Sequence, residues 1–204
     1  MKRIFIFLTL VGYFLSCNLQ AQEVVWKDDF EDNKGWSEWE DLFGKAIIKD
    51  GTLVIKALDG WLYASRCKTN LDVDKDFTIK GEISTKGKID ENHYAQICFN
   101  YKNLKNYVAF KIKNGFVYYS RVEKDQEIEF EKDVYKDPLR GKKGRSKDTK
   151  LIFEVQKKGS NVMLILNEEE AIEVPIDSLF RTSQIAFAVF GGIEFSFDNI
   201  EILQ

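Results

Sequence analysis

The sequence is poor in the residues on which common catalytic and metal centres depend. Its 204 residues include one histidine, His93, and three cysteines. A lone histidine cannot form a two-histidine metal site, and no Gly-x-Ser-x-Gly motif supplies a nucleophile for it to activate. Cys98 is no better partner, because the parity of the intervening residues places it on the opposite face of a strand from His93. We therefore interpret His93 as an ordinary residue at a strand end.

Beyond its N-terminus the chain also lacks a long hydrophobic run. About 20 apolar residues are needed to span a bilayer, and the N-terminal run at 4–15 has only 12. Basic residues before this run and a small residue at Ala21 predict an export signal over 1–21, cleaved after Ala21. Lipidation at Cys17 is the alternative, which Phe14 disfavours because it stands where leucine is usual. We expect an exported protein of the periplasm or cell surface, not transmembrane, with 22–204 as a single domain.

A strong excess of either charge is absent as well. The chain carries 30 basic and 33 acidic residues, a formal net charge of −3, which argues against nucleic acid or an anionic membrane as its partner. Basic residues do cluster between Arg140 and Lys147. No aromatic side chains are interleaved with them, as stacking of single-stranded nucleic acid would require. We interpret this charged stretch, 123–150, as a solvated loop.

Glycoside hydrolysis depends on a pair of carboxylates at a fixed separation. Jelly-roll glycosidases carry them as a Glu-x-Asp-x-Glu run on one strand, and the chain has no such run. Its nearest approach is Glu127, Glu129 and Glu131, which lack the central aspartate and lie in the charged stretch. A solvated strand face is the better interpretation of these three residues.

What the sequence has in abundance is short runs with the character of β-strands. Helical periodicity is nearly absent, and only Asp177–Phe180 suggests a helical turn. Turn residues such as Asp-Gly and Asn-Gly join several runs as hairpins. The spacing predicts an all-β domain, a two-sheet antiparallel β-sandwich or jelly roll. The predicted strands are 24–30, 45–49, 52–57, 61–65, 77–84, 94–101, 106–113, 115–122, 150–157, 161–166, 171–174, 184–190 and 194–203.

Two cysteines remain after the predicted signal, Cys67 and Cys98. In an exported protein they could form a disulfide, or both could be small thiols on the core side of their strands. The sequence leaves these two alternatives open. Metal binding by the pair is disfavoured, because no further histidine or cysteine supports it.

The order of several segments resembles a known group of exported proteins. The chain opens on "DDFEDNKGW", continues through "DFTIKGEIS" and "NYVAFKIKNGFVYY", and closes on "FSFDNIEI". This order is similar to the concanavalin A-like, laminin-G-like jelly rolls of bacterial carbohydrate-associated proteins, and particularly to the 3-keto-disaccharide hydrolase family. The resemblance covers about residues 24–203, and the family name implies action on keto-sugar glycosides. One feature departs from the family, because Asn167 is followed by Glu168 where an Asn-Gly turn is usual.

The last strand contains a change of phase. Phe197 and Ile200 are both apolar but have opposite parity, and Asp198 lies at the change. A slip of this kind is what a β-bulge produces. The resemblance implies that the first and last strands lie side by side, which would turn Asp198 toward Asp29 and Asp32. Convergent oxygen ligands predict a Ca²⁺ site, and an Asx turn that satisfies exposed backbone groups is the alternative.

Exposed aromatic side chains are candidates for stacking against sugar rings, with polar side chains nearby to bind the hydroxyl groups. The predicted stacking residues are Trp61, Tyr63 and Tyr119. The predicted polar partners are Arg66, Asn100 and Arg121. Further aromatic candidates are Trp36, Trp39, Tyr101 and Tyr107. Burial in the core is the alternative for any of these rings.

The sequence thus leads to three functional hypotheses. The first is an exported jelly roll that binds an oligo- or polysaccharide without strong catalytic machinery of its own. The second is a glycoside hydrolase or lyase that acts on keto-sugar glycosides, and the third is an interaction domain of the cell envelope. A binding protein would have an aromatic shelf, an enzyme would gather two acids in one concavity, and an interaction domain would expose a flat apolar patch.

Overall fold

The computed structural model of the chain describes residues 22–86, 92–113, 116–124, 126–134 and 149–204. The predicted signal at 1–21 and the basic cluster at 140–147 lie outside these residues, so both interpretations stay predictions. Within the described ranges, no helix is long and apolar enough to cross a membrane.

All the regular secondary structure of the described residues is β-strand. The first eight strands are β1 (Val24–Asp28), β2 (Trp39–Asp41), β3 (Gly44–Lys49), β4 (Thr52–Ala57), β5 (Leu62–Lys68), β6 (Phe77–Lys86), β7 (Tyr94–Asn103) and β8 (Asn106–Lys113). The remaining strands are β9 (Phe116–Glu123), β10 (Gln126–Val134), β11 (Thr149–Lys158), β12 (Asn161–Leu166), β13 (Glu169–Pro175), β14 (Gln184–Phe190) and β15 (Glu194–Leu203).

The strands form two antiparallel sheets packed face to face. One sheet has nine strands in the order β13-β12-β11-β6-β15-β4-β3-β2, with β1 paired to β15 beside this path. The other has six strands in the order β10-β9-β8-β7-β14-β5. The predicted two-sheet antiparallel β-sandwich is therefore confirmed. Strand β5 is an edge strand of the smaller sheet, which matters for the site described below.

The two sheets enclose a core rich in phenylalanine, because alternate side chains of each strand face the interior. The largest fully buried rings are Phe30, Phe77, Phe99, Phe110, Phe153, Phe187, Phe195 and Phe197. Phe187 of β14 stacks on Phe197 of β15 with ring centroids 4.4 Å apart, which joins the two sheets. Packing is close at Gly81 of β6, where a Cβ atom would lie 2.7 Å from the Phe153 ring, so no larger residue fits without movement.

The final strand contains the predicted bulge. Strand β1 pairs antiparallel with β15, with Asp28 opposite Ile200, so the first and last strands do lie side by side. Against β6, the register of β15 shifts between Asp198 and Glu201. Asn199 adopts a left-handed conformation there, with φ of 51°. The extra residue returns Ile200 to the core, which explains the change of phase in the sequence.

Two strands and one turn differ from the sequence prediction. Strand β2 was not predicted, since three residues are too few for alternation to be recognised. Strand β10 lies in the charged stretch that was interpreted as a loop, and it pairs with β9 at the edge of the smaller sheet. It contains Glu127, Glu129 and Glu131, whose interpretation as part of a strand is confirmed. Charged side chains are common on edge strands, because they discourage pairing with another chain. Asp177–Phe180 forms no helical turn and is an irregular connection instead.

The two cysteines are free thiols on opposite faces of the smaller sheet. Cys67 lies opposite Ile185 of β14, and Cys98 lies opposite Ala186. Ile185 and Ala186 are consecutive, so their side chains point to opposite faces, and β14 itself separates the two cysteines. This geometry excludes a disulfide between them, because bridged Cβ atoms lie only about 4 Å apart.

Candidate functional site

The open edge of β5 is covered by the segment that leads into β2. The Ser37 N–H donates to the Arg66 carbonyl at 3.0 Å, and the Trp39 indole N–H donates to the Ala64 carbonyl at 3.2 Å. The Ser65 hydroxyl donates to the Ser37 carbonyl at 2.9 Å. These bonds satisfy backbone groups that an edge strand would otherwise leave open. They also fix the Trp39 ring against the strand.

A row of four aromatic rings runs along this edge. Phe43 packs on Trp61 with centroids 4.9 Å apart, and Trp61 lies 6.5 Å from Tyr63. Tyr63 in turn stacks on Trp39 at 4.3 Å. Trp61 is 48% exposed and Phe43 is 41% exposed, so the row presents ring surface to solvent. We call Phe43, Trp61, Tyr63 and Trp39 the aromatic row.

Backbone and side-chain hydrogen bonds hold the row in place. The Trp61 N–H donates to the Leu58 carbonyl at 3.0 Å, and the Trp61 carbonyl accepts from the Gly191 N–H at 3.4 Å. The Tyr63 hydroxyl donates to the Asp41 carboxylate at 3.3 Å. Loss of water contact and the neighbouring Asp41 charge both raise the pKa of Tyr63, so its hydroxyl stays protonated and keeps this donor role.

Trp39, Trp61 and Tyr63 of the aromatic row line a groove of about 780 Å³. The end of β7 and the turn between β7 and β8 also line it. We call this cavity the edge groove, and its described lining residues are Ser37, Trp39, Trp61, Leu62, Tyr63, Ala64, Arg66, Tyr101, Asn103, Leu104 and Lys105. Its volume lies within the usual range for small-molecule sites, roughly 300 to 1,000 Å³.

The structure brings three of the six predicted binding residues into the edge groove. Trp61, Tyr63 and Arg66 lie together there because all three belong to β5 or the turn that precedes it. The other three lie elsewhere, and their predicted roles are corrected below.

Tyr119 is not a surface residue. It is 3% exposed and packs in the core against Phe99 and Phe110, with centroids 6.5 and 5.7 Å away. Burial raises the pKa of its hydroxyl to about 12. Both faces of β9 carry buried residues, with Val117 and Tyr119 on one and Val122 on the other, so strand parity did not indicate which ring reaches solvent.

Asn100 and Arg121 hold the connection between β13 and β14. The fully buried Asn100 amide donates to the Phe180 carbonyl at 2.9 Å and accepts from the Phe180 N–H at 2.8 Å. The Arg121 guanidinium donates to the Ser178 carbonyl at 2.6 Å and pairs with Glu123. Their polar groups therefore stabilise a loop, and neither residue lines the edge groove.

Two of the further aromatic candidates line the groove, and three of the four are buried. Trp39 and Tyr101 lie in the edge groove, and Tyr101 is only 5% exposed. Trp36 is 3% and Tyr107 is 7% exposed, and neither lines the groove. The turn at Asn103–Lys105 was not predicted as part of a site. Its signal in the sequence is Leu104, a large apolar residue at a polar turn, which is 63% exposed.

The carboxylates of the predicted calcium site make local contacts in the described structure. In the described part of the chain, no three His, Cys, Asp or Glu side chains are grouped to hold a metal ion. Asp29 accepts from the Glu31 N–H and lies 3.9 Å from the Lys34 ammonium. Asp198 accepts from the Asn199 N–H at 2.7 Å, as in the alternative of local hydrogen bonds to the bulged backbone. Calcium binding by Asp29, Asp32 and Asp198 stays a prediction.

Comparisons with known proteins support the fold and leave the family open. No protein-family model matches the chain, and no curated protein matches its sequence. The carbohydrate-binding module CBM66 from Bacillus subtilis is 15% identical, with a TM-score of 0.61 over 84% of this chain and 96% of the module. At this identity the likeness shows the fold alone. Membership of the 3-keto-disaccharide hydrolase family stays a prediction.

Two other solved structures are similar over most of their length. A Bacillus subtilis protein of unknown function with a galectin-like fold is 10% identical, with a TM-score of 0.64 over 90% of this chain and 98% of that protein. The carbohydrate recognition domain of Emp47p is also 10% identical, with a TM-score of 0.63 over 91% of this chain and 98% of the domain. Both have the same jelly-roll architecture as this chain.

Proposed function

We propose that this protein binds a saccharide in the edge groove and stacks sugar rings on the aromatic row. The observation that carries the proposal is the exposure of Trp61 and Phe43 in a row whose rings are held by the backbone of β5 and its neighbouring turns. Tryptophan is highly buried on average, so an indole left 48% exposed at the mouth of a groove needs an explanation. A sugar ring, with its apolar C–H face, would cover that surface.

Rigid aromatic side chains are economical for binding. An indole has two side-chain torsions, so it offers a large contact area with little loss of conformational entropy. The packing of Trp61 between Phe43 and Tyr63 restricts it further before any ligand arrives. Polar groups on Arg66 and Asn103 lie in the same groove and are suited to bind sugar hydroxyls. CBM66 is a carbohydrate-binding module and the Emp47p domain is a carbohydrate recognition domain, and their similar fold supports the same proposal.

The hydrolase hypothesis finds less support in this groove. Glycoside hydrolysis needs two carboxylates beside the bond that is cleaved. None of the described residues that line the edge groove is an aspartate or glutamate. Cleavage of keto-sugar glycosides therefore stays a prediction, which product analysis of each bound saccharide would test.

The experiment is a glycan-array screen of the wild-type protein, Trp61→Ala and Ile152→Ala, followed by calorimetric titration of each saccharide that binds. Ile152 is the matched control, since it is 47% exposed but lies on β11 of the larger sheet. We expect Trp61→Ala to weaken binding at least about tenfold, as truncation of a central aromatic contact typically does. Ile152→Ala should bind as the wild type does. A screen without hits, or hits that survive Trp61→Ala, would contradict the proposal.

A second candidate function is suggested by apolar side chains at the end of the aromatic row. Leu42 is 92% exposed, and Leu58, whose N–H donates to the Phe43 carbonyl at 2.7 Å, is 52% exposed. Contiguous exposed apolar residues often mark a protein-binding surface. Leu42→Ser separates the two functions, because it should leave saccharide affinity unchanged and reduce binding to an envelope protein partner.

We also propose that the chain is exported and processed after Ala21. The basic start and short apolar run of the first 21 residues support this. Mass spectrometry of the protein recovered from cell fractions would test it. A mature N-terminus at Gln22 supports the proposal, a lipid on Cys17 supports the alternative of anchoring, and an unprocessed cytoplasmic chain contradicts both.

The predicted calcium site has its own test. Titration of the protein with CaCl₂ should release or absorb saturable heat if Asp29, Asp32 and Asp198 bind the ion, and Asp198→Asn should weaken that binding. Absence of any saturable heat would overturn the prediction without affecting the edge groove.

A further inference from the structure

The charged side chains that line the edge groove are all positive. They are Arg66 and Lys105, and the other described lining residues are uncharged. The chain as a whole has a formal net charge of −3, so the groove has the opposite sign to the average of the protein. A local reversal of charge in a concave site concentrates ligands of the complementary charge.

Arg66 is placed so that its charge is available to a ligand. Its backbone is fixed, because its N–H donates to the Ser37 hydroxyl and its carbonyl accepts from the Ser37 N–H. Its side chain is exposed and makes no hydrogen bond or ion pair with the residues that the structure describes. The planar guanidinium matches a carboxylate or sulfate with paired N–H donors, so Arg66 can bind an anionic group of a ligand in the groove.

The nearby carboxylates do not neutralise Arg66. Asp41 lies at the aromatic end, where it accepts from the N–H groups of Phe43 and Gly44 and from the Tyr63 hydroxyl. Glu38 accepts from the Ile48 N–H at 2.9 Å and thus turns toward β3. The groove is therefore polarised along β5, with negative charge beside the aromatic row and positive charge at the Arg66 end.

The length of the strand sets the size of the ligand. Trp61 and Arg66 are five positions apart, and an extended chain rises about 3.3 Å per residue, so their Cα atoms are separated by about 16 Å. This separation allows the two residues to contact different sugar units, so we take an oligosaccharide as the ligand.

We propose that the edge groove selects an acidic oligosaccharide, with a ring stacked on Trp61 and an anionic substituent bound by the Arg66 guanidinium. This proposal rests on the proposed function and specifies the class of saccharide. A carboxylate of a uronic acid and a sulfate ester both match the paired N–H donors of a guanidinium. Lys105 also lines the groove, so the sign of its charge agrees with that of Arg66.

The test uses saccharides that differ only in charge. Oligogalacturonate and oligoglucuronate would be titrated into the full-length protein beside their uncharged methyl esters, and sulfated carrageenan oligosaccharides beside their uncharged desulfated forms. We expect the acidic member of at least one pair to bind about tenfold or more tightly than its neutral counterpart at low salt. The preference should shrink as salt is added, because the Debye length falls from about 30 Å at 0.01 M to about 8 Å at 0.15 M.

Substitutions of Arg66 test whether this residue causes the preference for acidic over neutral saccharides. Arg66→Gln should remove this preference, because it weakens the binding of acidic saccharides far more than that of neutral ones. Arg66→Lys should retain part of the preference, since a point charge lacks the bidentate geometry. Lys75→Gln is the control, because it removes an exposed positive charge outside the groove. Equal affinity for acidic and neutral partners, with both lost in Trp61→Ala, would overturn this inference and leave the proposed function intact. Failure of every saccharide to bind would overturn both.

Discussion

Trp36 and Trp61 have the same side chain and occupy opposite environments. Trp36 is 3% exposed, stacks on Phe187 at 5.3 Å and donates its indole N–H to the buried Asp28 carboxylate at 2.9 Å. Trp61 is 48% exposed and packs on Phe43 and Tyr63 of the aromatic row. The first region fills the core and pairs its buried carboxylate, whereas the second leaves ring surface and positive charge open to solvent. Burial with satisfied hydrogen bonds indicates stability, and ordered exposure indicates binding.

The largest difference that this comparison predicts is in the free energy of unfolding. Trp36→Ala should destabilise the protein by about 3 to 5 kcal/mol, because it leaves a cavity in the core. Trp61→Ala should cost about 1 kcal/mol or less, since little buried contact is lost. Urea unfolding followed by circular dichroism measures both values. Similar losses in the two variants would show that Trp61 is a structural residue as well.

Asp28 beside Trp36 and Asp41 beside the aromatic row should also contribute differently to the free energy of unfolding. Asp28 is fully buried and accepts from the Phe30 N–H and the Trp36 indole, so Asp28→Ala leaves two buried donors unpaired and should cost about 3 kcal/mol. Asp41 also accepts several hydrogen bonds but is exposed, and water can replace it. Asp41→Ala should therefore cost about 1 kcal/mol or less. The same unfolding experiment compares them, and an Asp41→Ala loss as large as that of Asp28→Ala would refute the distinction.

A smaller loss of stability should appear at high pH, because the buried Cys67 thiol ionises there. Burial, and then the Asp28 charge, raise the pKa of Cys67 to about 11 from an ordinary value of 9.0. The unfolded chain therefore loses this proton first, so the stability that the neutral thiol provides is complete below pH 9 and declines as the pH rises toward 11. Urea midpoints measured between pH 8 and 10.5 should fall more steeply for the wild type than for Cys67→Ala. Parallel declines would show that Cys67 titrates alike in both states.

Much of the fold could be predicted from the sequence, because apolar and polar residues alternate along most strands and the turns contain glycine, asparagine or aspartate. The bulge at Asp198 could be predicted because one face of β15 is buried, so a change of parity is visible in the residue types. Strand β10 could be predicted only in part, because the alternation of Glu127, Glu129 and Glu131 indicates a strand face but its bounds depend on pairing with β9. A charged edge strand has little apolar signal of its own.

The candidate site could be predicted only in part. Trp61, Tyr63 and Arg66 are close in sequence and meet on one strand, so local reasoning sufficed for them. The prediction that Tyr119 lies at the surface was wrong. Strand β9 has buried residues on both faces, so the alternation of its residues does not show which side chains reach solvent. The turn at Asn103–Lys105 joins the groove through sheet order, since β14 places β7 two strands away from β5. Such a contact depends on topology, which one sequence does not specify.

The most direct test of the proposed site is an NMR titration of the four tryptophan indole N–H signals with a saccharide identified on the array. The tryptophans are Trp26, Trp36, Trp39 and Trp61. If the aromatic row binds the ligand, the Trp61 and Trp39 signals shift in proportion to occupancy, while Trp36, bonded to Asp28 in the core, stays unchanged. Shifts at Trp36 and Trp26 with none at Trp61 would contradict the account and place the binding site elsewhere.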